Sequence, residues 1–149
     1  MSRDLPSDFD VDYQLTRLVR QVRARSLRNL ADIHPRLDYS TFILLLAVVD
    51  APEGARASEL AEAMRVHKST VSRAVSALER MGLVERRPDP RDGRSHVLTA
   101  SAHAQERVES YRRTSHAWLA TLIEDWSPQD LGSFARQLGR LNDAMDSRP

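Results

Sequence analysis

Between Glu59 and Arg94 the chain reads ELAEAMRVHKSTVSRAVSALERMGLVERRPDPRDGR, and the side chains there that could do chemistry are hydroxyls and guanidiniums. If a helix begins near Lys68, then Ser69, Arg73, Ser76 and Arg80 share one face. Thr70 and Ser72 flank that face, and His67 and Lys68 stand at its head. Short hydroxyls suit phosphate oxygens, and an arginine is long enough to fork onto a guanine edge or to clamp a phosphate. Arg86, Arg87, Arg91 and Arg94 follow, on and below the tip of an expected hairpin. A hairpin beside a groove-seated helix can lay its tip in the neighbouring minor groove, where an arginine gains from concentrated negative potential. These groups recognise a polyanion and have no means of breaking bonds. No combination of serine, histidine and acid has motif support, no glycine-rich phosphate loop occurs, and the carboxylates are spaced as helix-face partners for arginines. No enzymatic activity and no cofactor are expected.

Such groups work only if a scaffold aims them. Before the stretch, Val11, Leu15, Leu18, Val19 and Val22 recur at helical spacing, with Arg17, Arg20, Arg23 and Arg28 opposite, until Pro35 ends the helix. Ser40 is positioned to cap a second helix, whose run FILLLAVV is apolar almost all round and marks the core. Ala51 to Gly54 form a turn, and a short helix over Ser58 to Met64 follows with Leu60, Ala61 and Met64 inward. Val66 and His67 make the next turn. The helix from Lys68 to Met81 turns Val71, Ala74, Val75 and Leu78 inward, and Gly82 supplies a left-handed stop. Leu83 to Arg87 and His96 to Ala100 read as strands joined by a turn-rich connection. A long helix from about Ala102 to Asp125 carries Val108, Tyr111, Ser115, Trp118, Leu119 and Leu122 on one stripe. Ser127, Pro128 and Asp130 open a last helix, along which Leu131, Phe134, Leu138, Leu141 and Met145 repeat at alternating three and four residues. The outer helices are long for so small a chain and their stripes are hard to bury within one copy, which points to a two-fold homodimer.

The bulk numbers narrow the classes. At 149 residues, with 41% hydrophobic and 29% charged residues, the chain is expected to be a soluble globular protein. Its 22 basic and 21 acidic residues leave a net charge of +1, so nucleic-acid binding requires positive charge gathered on one face. From Arg56 to Arg94 basic residues outnumber acidic ones. The absence of cysteine excludes disulfides, thiolate catalysis and cysteine-zinc sites. His34, His67, His96, His103 and His116 form no pair at helical ligand spacing, so no metal site is expected. The first ten residues lack the apolar core of a signal peptide, and the run Phe42 to Val49 is far too short to span a bilayer. A cytoplasmic location is the expectation.

Taken in order, these elements resemble the MarR family of bacterial winged helix-turn-helix regulators. The residues that carry the resemblance are Glu59-Leu60-Ala61, Ser69 to Arg73, Leu78, Gly82 to Arg86 and Asp92-Gly93-Arg94, in register and without gaps. The sequence departs from the pattern in several places. Arg56 stands where relatives often carry a capping serine or threonine. The Leu-Thr-x-x-Gly that usually opens the long helix becomes Ala100-Ser101-Ala102-His103-Ala104 in ungapped register, while strands two residues shorter would use Leu98-Thr99 instead. The resemblance implies that Arg94 enters the minor groove and that Asp92 holds its side chain in position. It also implies a small aromatic or phenolic effector in the cleft between dimer helices and DNA-reading lobe, for which Arg17, Arg20, Tyr39, Trp118 and His116 are candidate lining residues.

The expected fold is therefore mainly α with a small β-wing: a winged helix-turn-helix lobe over about residues 36–100, with dimerisation helices over about 10–34 and 101–146, in one domain spanning 1–149. The expected function is regulation of transcription, most often repression, by a homodimer whose recognition helices enter successive major grooves of a pseudo-palindromic operator about 34 Å apart. The expected DNA-binding residues are His67, Lys68, Ser69, Thr70, Ser72, Arg73, Ser76, Arg86, Arg87, Arg91, Asp92 and Arg94. The alternative, a winged-helix module that binds protein without specific DNA binding, would go with a wing free of arginines.

Overall fold

Capping and apolar spacing dictate most of the elements seen in the structure, a computed structural model that describes residues 10–89 and 92–147, the side chains of 93 and 94 excepted. Helix α1 (Val11–Asn29) starts where the Asp10 carboxylate accepts the Tyr13 amide at 2.9 Å, and runs into a 3-10 turn at Leu30–Asp32. Helix α2 (Tyr39–Val49) is capped by Asp38 rather than Ser40. The Thr41 amide donates to the Asp38 carboxylate at 2.9 Å, the Thr41 hydroxyl at 2.8 Å and the Ser40 hydroxyl at 2.6 Å. Ser40 therefore braces the cap from inside the first turn, because only Asp38 has the extended backbone an N-cap requires.

Helices α3 (Ala57–Ala63) and α4 (Lys68–Arg80) pack on one another, and α4 packs on α2. The turn between them is longer than Val66 and His67. Arg65 occupies the left-handed region at φ 52°, and the Val66 amide closes the turn on the Ala61 carbonyl at 3.0 Å. Gly82, at φ 68°, ends α4 as its sequence position indicates.

Strands β1 (Val84–Asp89) and β2 (Asp92–Ala100) pair antiparallel from Val84 opposite Ala100 outward, with an irregularity between Pro88 and Asp89. Both strands reach further toward the tip than the alternation of residue types indicates. Pro88 lacks a ladder donor, but in a two-stranded hairpin an edge position and a bulge accommodate it. Ala55 adds an isolated bridge near the hairpin base, donating to and accepting from Leu98 at 2.9 and 2.8 Å. The backbone approaches so closely there that a Cβ on Gly54 would lie 2.8 Å from the Val97 side chain.

Helix α5 (Ala102–Leu122) opens in the ungapped register: the Ala104 amide donates to the Ser101 hydroxyl at 3.2 Å, and Ala104 itself is fully buried. The chain divides after Tyr111 into two compact units. The first holds the core of Leu30, Ile33, Phe42, Leu45, Leu78 and Leu83 with their neighbours. Tyr111 closes it, with its ring edge-on to Phe42 at 4.9 Å and its hydroxyl 2.8 Å from the buried Ser26 hydroxyl. The second holds the end of α5 and helix α6 (Pro128–Asp146), which Ser127 caps through the Asp130 amide at 3.1 Å. None of the described residues of α6 is buried. Among the described residues no helix is long and apolar enough to cross a membrane.

Candidate nucleic-acid interface

The rotation of α4 is set by its apolar side. Val71, Val75 and Leu78 are buried against α2 and α3, and that fixes which residues remain outside. His67, Lys68, Ser69, Thr70, Ser72 and Arg73 are all exposed, and Ser76 is half-buried one turn further on. His67 occupies the N-cap position without making a side-chain cap bond, and its carbonyl accepts the Thr70 amide at 2.9 Å, so only the amides of Lys68 and Ser69 are left for an outside acceptor. No acidic residue lies in that first turn. Free amides, the positive end of the helix dipole and the Lys68 ammonium together make a surface that favours an anion. The Arg73 guanidinium folds back along the helix, its Nε donating to the Ser69 carbonyl at 3.3 Å, and remains exposed.

The wing arginines are less free than their sequence positions suggest. Arg86 forks onto Glu79 of α4, with Nε at 2.7 Å from Oε1 and Nη2 at 3.4 Å from Oε2. Arg87 Nη2 lies 3.3 Å from Glu85 Oε2, on the same side of β1. Exposed pairs of this kind are worth about 0–1 kcal/mol, so a phosphate can displace either glutamate. Asp92 is exposed, and its carbonyl accepts the Ser95 hydroxyl at 3.1 Å. Arg91 and the side chain of Arg94 lie outside the described residues, and so does the implied Asp92–Arg94 contact.

An ion pair absent from the sequence reading lies at the wing base. Arg56 Nε donates to Asp89 Oδ2 at 2.7 Å, and Nη2 approaches the same oxygen at 2.5 Å. The Asp89 side chain is only 2% exposed, and the Ser95 hydroxyl donates to Oδ2 as well, at 3.1 Å. The hydrogen bond to Asp89 and its charge hold the Arg56 guanidinium above its ordinary pKa, with Glu59 adding a smaller pull. The Glu59 carboxylate also accepts the Arg56 amide at 3.3 Å, so α3 keeps the return half of a capping box without a hydroxyl cap. The one sequence signal was the arginine in a position that suits a serine or threonine.

The candidate effector residues separate. Arg20 lines an open groove of about 610 Å³ along α1 with Leu15, Val19, Arg23 and Leu27. Tyr39 lines another, of about 550 Å³, with Arg23, Leu27, Ile43 and Met64, and the Arg23 guanidinium sits 5.3 Å over the Tyr39 ring. Arg17 is exposed on α1 and lines neither groove. His116 and Trp118 belong to the second unit. Among the described residues no group of three histidines or acids could hold a metal ion.

Comparison with known proteins agrees with this geometry. The family model described as MarR family matches residues 37–95, which span the region from the start of α2 to the wing. The uncharacterized HTH-type transcriptional regulator YxaD of Bacillus subtilis (strain 168) is 33% identical over 143 residues, 91% of this chain and 92% of its own. The crystal structure of MarR superposes with a TM-score of 0.74 at 25% identity, covering 99% of this chain and 95% of that one. The transcriptional regulator SlyA, 19% identical, superposes with a TM-score of 0.72 over 93% of this chain and 95% of its own, a likeness of fold.

Proposed function

The chain belongs to the MarR family of DNA-binding transcriptional regulators, which are not enzymes and typically act as dimers, and from that premise we propose that it is a homodimeric repressor of the cytoplasm, relieved by a small-molecule effector. The observation that carries the reading is the head of α4: an exposed row from His67 to Arg73, backed by buried Val71, Val75 and Leu78. In this reading α4 enters the major groove, with Ser69, Thr70, Ser72 and Ser76 on phosphates or base edges and Arg73 on a guanine or a phosphate. Arg86 and Arg87 exchange their glutamates for phosphates, and Arg94, positioned by Asp92, enters the minor groove beside Arg91. Two copies present two such surfaces to a pseudo-palindromic operator.

Dimerisation is supported by apolar side chains left in water: Val11, Leu18, Val19 and Val22 on α1, and Phe134, Leu138 and Met145 on α6. A monomer gains nothing from exposing such stripes at helical spacing. An aromatic acid or phenol is the class of effector that the Tyr39 groove suits, since Arg23 supplies a cation beside apolar Leu27, Ile43 and Met64. Ligand binding there weakens DNA binding by the same factor that DNA weakens ligand binding.

The experiment is a duplex-binding titration across a salt series. Affinity should fall steeply as salt rises, because neutralised phosphates release counterions. Arg73→Ala and Arg94→Ala should each weaken specific binding by about 1–3 kcal/mol. A flat salt dependence with unchanged variants would exclude the DNA-reading role of this face.

A further inference from the structure

We infer that Arg56 is a positioning residue that sets the direction of the wing, and that it does so by taking the place of a hydroxyl cap on α3. The inference rests on the proposed insertion of the wing into a minor groove.

A hairpin held at one point can swing, whereas one held at two points along its length has a fixed axis. The first point is Ala55, which exchanges both backbone hydrogen bonds with Leu98. The second is the next residue, Arg56, whose guanidinium reaches past that rung to Asp89 at the outer end of β1. Ser95 of β2 donates to the same carboxylate, so one buried oxygen gathers both strands and the head of α3. Leu98 and Ser95 are three strand residues apart, a separation of about 10 Å. The outer anchor therefore lies just below the tip, where the irregularity between Pro88 and Asp89 would otherwise let the ladder bend.

The alternative tether on the opposite side is weaker. The Arg86–Glu79 pair is about half exposed on the arginine side, and binding to phosphate would break it. Asp89 differs because it is nearly sealed from water, so its charge demands a partner whether or not DNA is present. A serine at position 56 would cap α3 better but could not span the gap to Asp89, which explains in physical terms why an arginine there is useful.

The test separates aim from stability. A high-affinity duplex is selected by the wild-type protein from random-sequence DNA, then remade with its outer flanks either A·T-rich or G·C-rich. The variant Arg56→Ser/Asp89→Asn restores a hydroxyl cap and leaves no buried carboxylate without its arginine; Arg56→Lys keeps the charge but loses the fork. The wild-type protein should prefer A·T flanks and protect their minor groove from hydroxyl radicals. The double variant should remain folded and keep guanine protection in the major grooves of the two half-sites, but lose its flank protection and most of its flank preference. Arg56→Lys should fall between the two. If the double variant loses affinity equally on both duplexes, or keeps the wild-type flank preference, Arg56 does not aim the wing. If the wild-type protein itself shows no flank preference or protection, the minor-groove reading fails and the inference falls with it.

Discussion

Leu45 is 0% exposed and Met145 is 66% exposed: the first lies on a helix that is apolar almost all round, the second on one with an apolar seam. Around Leu45 the apolar surfaces of α2, α4 and the hairpin close on one another, with Phe42, Leu78, Leu83 and Val84 sealed from water. On α6 nothing comparable happens: Phe134 meets Trp126 edge-on at 5.6 Å and remains half exposed. The contrast divides labour. The lobe that carries α4 and the wing completes its own core, so it can hold the proposed reading surface rigid in a single copy. The flanking helices expose apolar surface that an assembly of two copies would remove from water. Rigidity would thus come from within the subunit, and the spacing between reading surfaces from between subunits.

The largest effect expected is on the closed side of this comparison. Leu45→Ala removes a fully buried side chain from a filled core and should lower unfolding free energy by about 2–5 kcal/mol, read from urea denaturation. A loss well under that would mean the lobe is not the self-sufficient part. The next tests the open side. Phe134→Asp should leave the far-ultraviolet spectrum of the lobe unchanged but weaken self-association by about 2 kcal/mol or more, as for a buried aromatic anchor at an interface. Light scattering at low micromolar concentration should then report the mass of one chain, and affinity for a two-half-site duplex should fall while affinity for a half-site does not. An unchanged mass would remove the α6 stripe from the interface and break the proposed division.

What was legible in the sequence was local. The α4 face could be read because burial of Val71, Val75 and Leu78 follows a 3.6-residue period, and its end because Gly82 tolerates a positive φ. Ser127 and Pro128 announced α6 for similarly local reasons. The turn at Arg65 was not legible, since no residue there favours the left-handed region and the geometry is imposed by the hydrogen bond from Val66 to Ala61. Asp38 and Ser40 both suit an N-cap, and the choice between them depends on where the chain leaves the preceding turn at Leu37. The candidate interface divides in the same way. Its α4 residues follow from periodicity, whereas the pairing of Arg56 with Asp89 spans 33 residues and that of Arg86 with Glu79 joins a strand to a helix. No local spacing rule reaches across such separations, so neither the Arg86 pair nor the part played by Asp89 could be read from the sequence.

The smallest effect sharpens the comparison by showing where the closed lobe takes its polar stabilisation. The Asp38 carboxylate is held below its ordinary pKa chiefly by the Ser40 hydroxyl; burial opposes this, and the Thr41 amide and hydroxyl add to the lowering. Since the folded value is the lower one, the charged carboxylate contributes stability above the unfolded value of about 3.9, and that contribution is lost as pH falls through the folded value. Asp38→Ala should cost about 1 kcal/mol at neutral pH through loss of the cap. Asp38→Asn is the more informative change, because an asparagine can still accept the Thr41 amide but cannot titrate. Wild type should be the more stable of these two at neutral pH, and its advantage in thermal midpoint should shrink steadily as the pH is taken below about 4. Other carboxylates titrate in both proteins alike, so the difference between them isolates Asp38. An advantage that stays constant down to pH 3 would mean that the charge on Asp38 adds nothing, and that the head of α2 is held by its apolar face alone.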